Sequence, residues 1–357
     1  MISVKYRIRQ LARIIIKRKK YLSFIKKNLE IRLPYPPTKK QIKWCYHDYI
    51  RYTIKYYADL EVDYFKSGIY RKSDFIRSDS LANYKRFELR DSIQAKEHWK
   101  YFQDKREFYN FFRSFLGREY IIVSNDTDYL TFMEFVQKCS GNVFAKLPIS
   151  CGGKDVFHWK LSSIDEIKAK YDEIIKSGKS YIVEECISQV EDMASFSPLS
   201  VNTMRIVTVI DDNGNVRIAN ALFRIGNGKE VDNFSSGGMA ARVDIQTGIL
   251  MQPAVDGLGK TYLIHPLSHK QIIGFAIPGW SDYINFVKEL ASKIKDVRYV
   301  GWDIIRKSDG TMACIEGNKD AGFDVQESQV NYGYESIYNA LLHDEKSFDF
   351  SIYGGCI

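Results

Sequence analysis

The pair Asp309-Gly310, set between two apolar runs, constrains this chain more than any other feature. Asp-Gly between apolar strands favours a two-residue type I′ hairpin turn. With the turn centred on that pair, Asp303 and Glu316 are equally distant from it and stand directly opposite each other. Asn318, two residues beyond Glu316, falls on the same face because strand side chains alternate. Two carboxylates about 5 Å apart across a sheet repel unless something neutralises them. A hard divalent cation does so, and an Asp, a Glu and an amide oxygen suit Mg²⁺, which completes its shell with water and substrate phosphates. A solvent-facing hairpin would instead let both acids point into water. The flanking Val300, Trp302, Ile304, Ala313 and Ile315 are apolar and favour the buried, metal-holding arrangement.

The remaining pattern is of mixed type. Residues 1–33 carry eleven Lys/Arg against one acid, Glu30, with Ile8, Leu11, Ile14, Ile15, Leu22, Ile25 and Leu29 at helical spacing. They predict a basic amphipathic helix ended by Pro34. Of the formal charge of +8, all lies in this head, and the rest of the chain is near neutral. Residues 34–117 read as a helical, aromatic-rich subdomain, where eight tyrosines between 35 and 70 match a buried helical stripe. After Gly117 strands and helices mix: strands at 119–123 and 141–147 flank a helix at 129–139. A strand at 155–161 and a helix at 163–176 follow, the latter capped by Ser162 or Ser163 and stopped by Gly178. Strands are expected at 181–185, 201–210, 216–225 and 239–244, then a helix at 281–295 before the final strands 297–307 and 311–317. No repeat is visible, so the body is mixed α/β or α+β rather than a solenoid.

Some classes drop out. No apolar run approaches the roughly 20 residues of a membrane span, and the start lacks a signal-peptide shape. Six scattered cysteines without a CxxC pair read as reduced thiols of a cytoplasmic protein. Nucleic acid is disfavoured, because no recognition motif accompanies the basic head. Walker A, GxGxxG, GxSxG and HExxH patterns are all missing.

Three further segments carry charge out of apolar surroundings. Lys146 lies inside the strand Phe144-Ala145-Lys146-Leu147 and is followed by Ser150-Cys151-Gly152-Gly153-Lys154, a lysine and a flexible loop suited to phosphates. An edge lysine on a surface hairpin is the plainer meaning. The strand ending Val183-Glu184-Glu185-Cys186-Ile187 can present a carboxylate and backbone to an adenine, or simply end in charge. Arg205 and Arg224 each leave an apolar strand, near the loop Val231-Asp232-Asn233 with Gly237-Gly238. They serve as anion clamps or as structural salt bridges.

In this order, with Asp104-Lys105, Ser200-Val201-Asn202-Thr203-Met204-Arg205, Gly301-Trp302-Asp303 and Glu316-Gly317-Asn318, residues 100–330 resemble the ATP-grasp superfamily. The likeness is to the sugar-transfer-associated ATP-grasp proteins of polysaccharide biosynthesis. It implies two α+β subdomains clamping ATP: a lid at 118–187 and a catalytic subdomain at 188–330, with a C-terminal helix and tail at 331–357. It implies that Lys105 and Lys146 hold ATP phosphates under a lid loop containing Ser150, Gly152 and Gly153. Glu184, Glu185 and Ile187 would bind adenine, and Glu191 the ribose. Asp303, Glu316 and Asn318 would hold Mg²⁺, and Arg205, Arg224 and Asn233 would line the acyl-phosphate region. Leu147 stands where the family usually has proline. The implied activity is ATP-dependent carboxylate–amine ligation, joining an amino acid or small amine to a sugar acid in capsule, O-antigen or exopolysaccharide assembly. A hydroxyl kinase and a silent scaffold are the alternatives. The basic head could dock on anionic membrane at the cytoplasmic face, or pack on the body.

Overall fold

The chain is described by a computed structural model over residues 4–56, 60–150, 155–230, 232, 234 and 237–349. Helices α1 (Val4–Ile16) and α2 (Arg18–Arg32) fill the region expected as one helix, and α3 (Lys39–Tyr56) follows. The break at Lys17 has a packing cause. One continuous helix would be about 45 Å long against roughly 27 Å for α3. Folding back lets Ile14 of α1 and Ile25 and Leu29 of α2 bury in one cluster with Tyr46, Tyr49, Tyr52 and Tyr64. Tyr46 donates to the Ile14 carbonyl at 3.2 Å. Inside the cluster Arg77 meets Asp48 at 2.8 Å and the Tyr64 hydroxyl donates to the same carboxylate. Short helices α4 (Asp74–Ser78), α5 (Asn83–Ile93), α6 (Lys100–Gln103) and α7 (Lys105–Phe111) lead to the first strand. No helix among the described residues is long and apolar enough to cross a membrane.

A four-stranded antiparallel sheet comes next. It contains β1 (Tyr120–Val123), β2 (Asn142–Lys146), β3 (Val156–Lys160) and β4 (Tyr181–Glu185), in the order β1-β4-β2-β3. Helices α8 (Tyr129–Lys138) and α9 (Ile164–Ser177) cover one face, packing Phe132, Val136, Ile167 and Ile174 on Val143, Ala145 and Val183. Strand alternation leaves Lys146, Ile182 and Glu184 on the opposite face. Gly141, at φ +73°, turns into β2 where no side chain fits: a Cβ there would stand 1.9 Å from the Leu161 carbonyl oxygen. Ser163 caps α9 in a reciprocal capping box with Glu166, and Gly178 closes it in the left-handed region. Replacing Ser163 with Ala is therefore expected to cost about 1 kcal/mol in urea unfolding, without changing ligand binding.

The second sheet has seven strands: β5 (Met204–Ile210), β6 (Val216–Ile225), β7 (Met239–Arg242), β8 (Ala254–Asp256), β9 (Thr261–Tyr262), β10 (Tyr299–Arg306) and β11 (Met312–Asn318). Their order is β11-β10-β5-β6-β7-β8-β9. The two-residue β9 and the short β8 carry too little alternation to be read from sequence. The four-residue α10 (Glu191–Ala194) precedes β5, and α11 (Trp280–Ser292) packs Tyr283, Val287 and Leu290 into the main core with Trp302, Ile304 and Phe223. Beyond α12 (Asp324–Ser328), α13 (Glu335–Leu342) covers part of the other face, where Asn220 donates to the Tyr338 hydroxyl at 3.1 Å. β5 starts at Met204 rather than 201 because Asn202 is occupied elsewhere. Its backbone amide, side-chain oxygen and side-chain nitrogen bind Gln189, Gly226 and Met193 at 2.9 Å each.

The closing hairpin differs from expectation in two compensating ways. Its loop is Ser308-Asp309-Gly310, closed by Lys307 N–H to the Thr311 carbonyl at 2.8 Å, with Gly310 alone at positive φ (+83°). A type I′ turn needs positive φ at both central residues, so this is the three-residue form ending in a glycine bulge. That shifts the register by one, pairing Arg306 with Met312. A second bulge, between Asp303 and Ile304, shifts it back and pairs Asp303 with Glu316.

Candidate functional site

The four-stranded sheet and the seven-stranded sheet each turn a charged face toward a common cleft. On the large sheet, Asp303 in β10 is opposite Glu316 in β11 and Arg205 in β5. Arg224 in β6 lies two residues beyond the partner of Arg205, on the same face. The Asp303 carboxylate, 2% exposed, accepts from Arg205 Nη2 at 2.8 Å, from Arg205 Nε, and from Arg224 Nη1 at 2.6 Å. Burial pushes its pKa up, but Arg205 and Arg224 outweigh that and hold it at about 2. Gly301 makes room for this geometry: a Cβ would stand 3.0 Å from Arg205 Cδ and 2.6 Å from the Ala321 methyl. Arg224 also meets Asp232 at 3.4 Å, and Asp232 in turn accepts from the Thr203 amide.

Glu316 contrasts with Asp303. Its side chain is 47% exposed and its nearest cation among the described residues is Arg205, with Nη2 at 4.0 Å. Partial desolvation and the neighbouring Asp303 raise its pKa; Arg205, Arg224 and Lys146 act in the opposite direction. The influence of Lys146 brings the small sheet to the same place. Asn318 lies beyond Glu316, its side-chain oxygen accepting from the Asp320 amide at 2.8 Å.

Across the cleft, Lys146 in β2 forms an ion pair with Glu184 in β4 and donates to the Tyr109 hydroxyl at 3.2 Å. Arg118 binds the same carboxylate at 2.7 Å and the Tyr109 hydroxyl at 2.6 Å, and Tyr109 donates to Glu184 as well. Burial raises the Glu184 pKa, yet Arg118 and then Lys146 lower it to about 2. Arg118 also donates to the Cys314 carbonyl at 2.8 Å and to that of Ile315 at 3.4 Å. These are the carbonyls at the β11 bulge, so one guanidinium ties the small sheet to the irregularity that places Glu316. Tyr109 and Arg118 are not among the sequence-based candidates. A tyrosine in an aromatic-rich helix and an arginine after Gly117 form no motif, so only the fold reveals them.

The other candidates are placed as follows. Lys105 begins α7 one turn before Tyr109, and its ammonium donates to the Ser150 carbonyl at 2.8 Å and hydroxyl at 3.0 Å. Glu185 is exposed and alternates to the face opposite Glu184, where its carboxylate accepts from the Glu119 amide. Ile187 is half-buried in the connection after β4, and the exposed Glu191 opens α10. That connection is pinned to the hairpin loop, since the Ser308 amide donates to the Ser188 carbonyl at 2.9 Å. Gly152, Gly153 and Asn233 lie outside the described residues.

A four-stranded and a seven-stranded antiparallel sheet, each with a cluster of paired cations and carboxylates and joined through Arg118, make up the site. The model of the sugar-transfer associated ATP-grasp family matches residues 86–339, and the chain belongs to that family. No curated protein matches it. Similar solved structures include the ATP-grasp ligase PsnB complexed with minimal precursor, at 14% identity and TM-score 0.41 over 67% of this chain and 60% of that one. The ADP complex of N5-carboxyaminoimidazole ribonucleotide synthetase is similar at 12% identity and TM-score 0.42, covering 65% of this chain and 48% of its own. An ATP-grasp RimK domain protein from Sphaerobacter thermophilus is similar at 9% identity and TM-score 0.37, covering 64% and 63%. The chain thus spans less than two thirds of the length of each of these structures.

Proposed function

We propose that the chain is an ATP- and Mg²⁺-dependent carboxylate–amine ligase acting through an acyl phosphate, attaching an amino acid or small amine to a sugar carboxylate in surface polysaccharide assembly. The observation that carries this reading is that Arg118 ties the Lys146–Glu184 pair of one sheet to β11 of the other, where Asp303 and Glu316 face each other with Arg205 and Arg224 on the same side. The glycan context rests on the family. Residues 118–187 act as the lid and 188–330 as the catalytic subdomain.

Lys105 and Lys146 contact ATP phosphates in this scheme. Because the Glu184 carboxylate is engaged by Arg118, Lys146 and Tyr109, its part is to orient Lys146, and adenine falls to the backbone around Glu185 and Ile187, with Glu191 toward the ribose. The donor set fits Mg²⁺. The Glu316 carboxylate accepts no hydrogen bond among the described residues, Arg205 standing 4.0 Å away, and Asn318 offers an amide oxygen. No group of three or more His, Cys, Asp or Glu that could hold a metal occurs among the described residues. Two carboxylates and an amide make an open shell, as suits an ion that keeps water and phosphate oxygens. Asp303, Glu316 and Asn318 would hold Mg²⁺, whose contribution would be to neutralise charge on the phosphates.

The substrate carboxylate oxygen attacks the γ-phosphorus and ADP departs. The amine nitrogen then attacks the acyl carbon, phosphate departs, and the nitrogen loses a proton. Lys146 and the two arginines spread the charge of the transferring group, and no covalent nucleophile is required. The test is release of ADP and phosphate with uronic-acid sugars and a panel of amines, with the product weighed by mass spectrometry. An amide is expected. A phosphorylated sugar would replace this reading with a kinase, and ADP release with no new bond would end it.

A further inference from the structure

Helix α1 has two apolar stripes. One, through Ile14, is buried on α3. The other contains Ile8, Ala12 and Ile16 at spacing four and Ile15 seven after Ile8, and it faces solvent. Ile8 is 61% exposed, Ile15 61% and Ile16 80%. The stripe runs directly into Lys17-Arg18-Lys19-Lys20, all exposed, and Arg9 and Arg13 lie beside it. None of Arg13, Lys17, Lys19 and Lys20 meets a carboxylate among the described residues, whereas Lys26 pairs with Glu30 at 3.5 Å. Single exposed apolar side chains are ordinary, but a contiguous stripe with a cationic rim is a contact surface.

We propose that α1 and its junction with α2 dock on an anionic lipid bilayer. In this arrangement α1 lies in the interface plane, Ile8, Ile15 and Ile16 enter the acyl boundary, and the basic run 17–20 sits among the headgroups. Charge complementarity selects the occupant: eleven cations and one acid in residues 1–33 oppose a neutral or cationic partner. The stripe distinguishes a bilayer from a soluble polyanion, which has no interior to receive isoleucine.

The end of α2 packs against the turn between β8 and β9. Gly259, in the turn between β8 and β9, lies so close to Arg32 at the end of α2 that a Cβ would stand 3.0 Å from Nε. A Cβ at Gly257 in the same turn would stand 3.0 Å from the Phe234 carbonyl oxygen, beside the Asp232 that holds Arg224. On the ligase reading, docking positions the enzyme for acceptors carried on the same bilayer, but docking itself does not depend on that reading.

The experiment is sedimentation of the full chain with vesicles of phosphatidylcholine alone and with a third phosphatidylglycerol. Truncation is unsuitable, because Ile14, Ile25 and Leu29 belong to the core. Partitioning to the anionic vesicles is expected to exceed that to neutral ones by at least about a hundredfold, on the order of fivefold per engaged cation. The I15S/I16S variant, with unchanged charge, is expected to lose about tenfold, and K17Q/K19Q/K20Q about a hundredfold. Both should keep the native unfolding temperature, since the replaced side chains are exposed. Absence of sedimentation, or equal partitioning to both vesicles, overturns the proposal. So does an I15S/I16S variant that binds as the native chain does, which would leave a surface for acidic protein or nucleic acid. Since no turnover is measured, failure of the ligase reading would leave these results unchanged.

Discussion

Asp303→Asn is expected to lower the free energy of unfolding by about 3–5 kcal/mol, whereas Glu316→Gln should change it by less than about 1 kcal/mol. The two acids are cross-strand neighbours, yet their surroundings differ. Asp303 is the buried counter-charge of Arg205 and Arg224, and amidation leaves two guanidinium groups facing a neutral side chain. Arg224 retains Asp232 at 3.4 Å, but Arg205 is left with Glu316 at 4.0 Å. Glu316 is half-exposed and is repelled by Asp303, so its amidation removes as much strain as attraction. Urea unfolding measures the difference. Both variants should lose the Mg²⁺-dependent thermal shift produced by ATP, because both supply oxygen ligands on the proposed reading. An Asp303→Asn protein within about 1 kcal/mol of the native chain would mean that the arginines do not depend on it. In that case the anchoring of the cleft floor described above would be wrong.

The same hairpin marks what was legible in the sequence. The opposition of Asp303 and Glu316 follows from a turn centred on Asp309-Gly310, but the actual turn is longer by one residue and a bulge at Asp303/Ile304 restores the pairing. Bulges have no local composition signal; here the Arg118 guanidinium on the Cys314 and Ile315 carbonyls explains the irregularity, and Arg118 is remote in sequence. Elements whose signals are local were readable. Strands β4 and β6 coincide with the expected spans, and α9 has its cap at Ser163 and its stop at Gly178. Arginines emerging from apolar strands were visible as charged groups, but not their common partner, because pairing across β5, β6 and β10 depends on tertiary register. The first helix reads as continuous since nothing in 1–33 breaks helical spacing. The length of α3 and the burial of Ile14 and Ile25 decide the fold-back. Asn202 belongs to a recognisable run, yet its work is structural: it staples Gln189, Met193 and Gly226 around the start of β5.

Glu184→Gln is expected to destabilise the protein by about 3–5 kcal/mol at neutral pH, because Arg118 and Lys146 would then share a buried site with no counter-charge. Its dependence on pH identifies the cause. Burial alone would raise the carboxyl, but Arg118 and Lys146 hold it at about 2 in the folded chain, against about 4.3 for an ordinary glutamate in the unfolded one. A folded pKa below the unfolded value stabilises the protein above the unfolded pKa, and the contribution disappears as pH falls through the folded one. The gap in unfolding free energy between native and variant proteins should therefore be level from pH 7 to about pH 5. It should then narrow toward pH 2, by an amount on the order of 3 kcal/mol. A gap independent of pH over that window would refute the ion-pair account and leave only packing. Adding Lys146→Met to Glu184→Gln should recover part of the loss, since it removes one of the two stranded cations and fills the site with an apolar chain of similar length. That recovery should come without recovery of ATP binding if Lys146 contacts the phosphates. Stability and nucleotide affinity would then move in opposite directions in one protein, separating the structural part of this network from its part in the cleft.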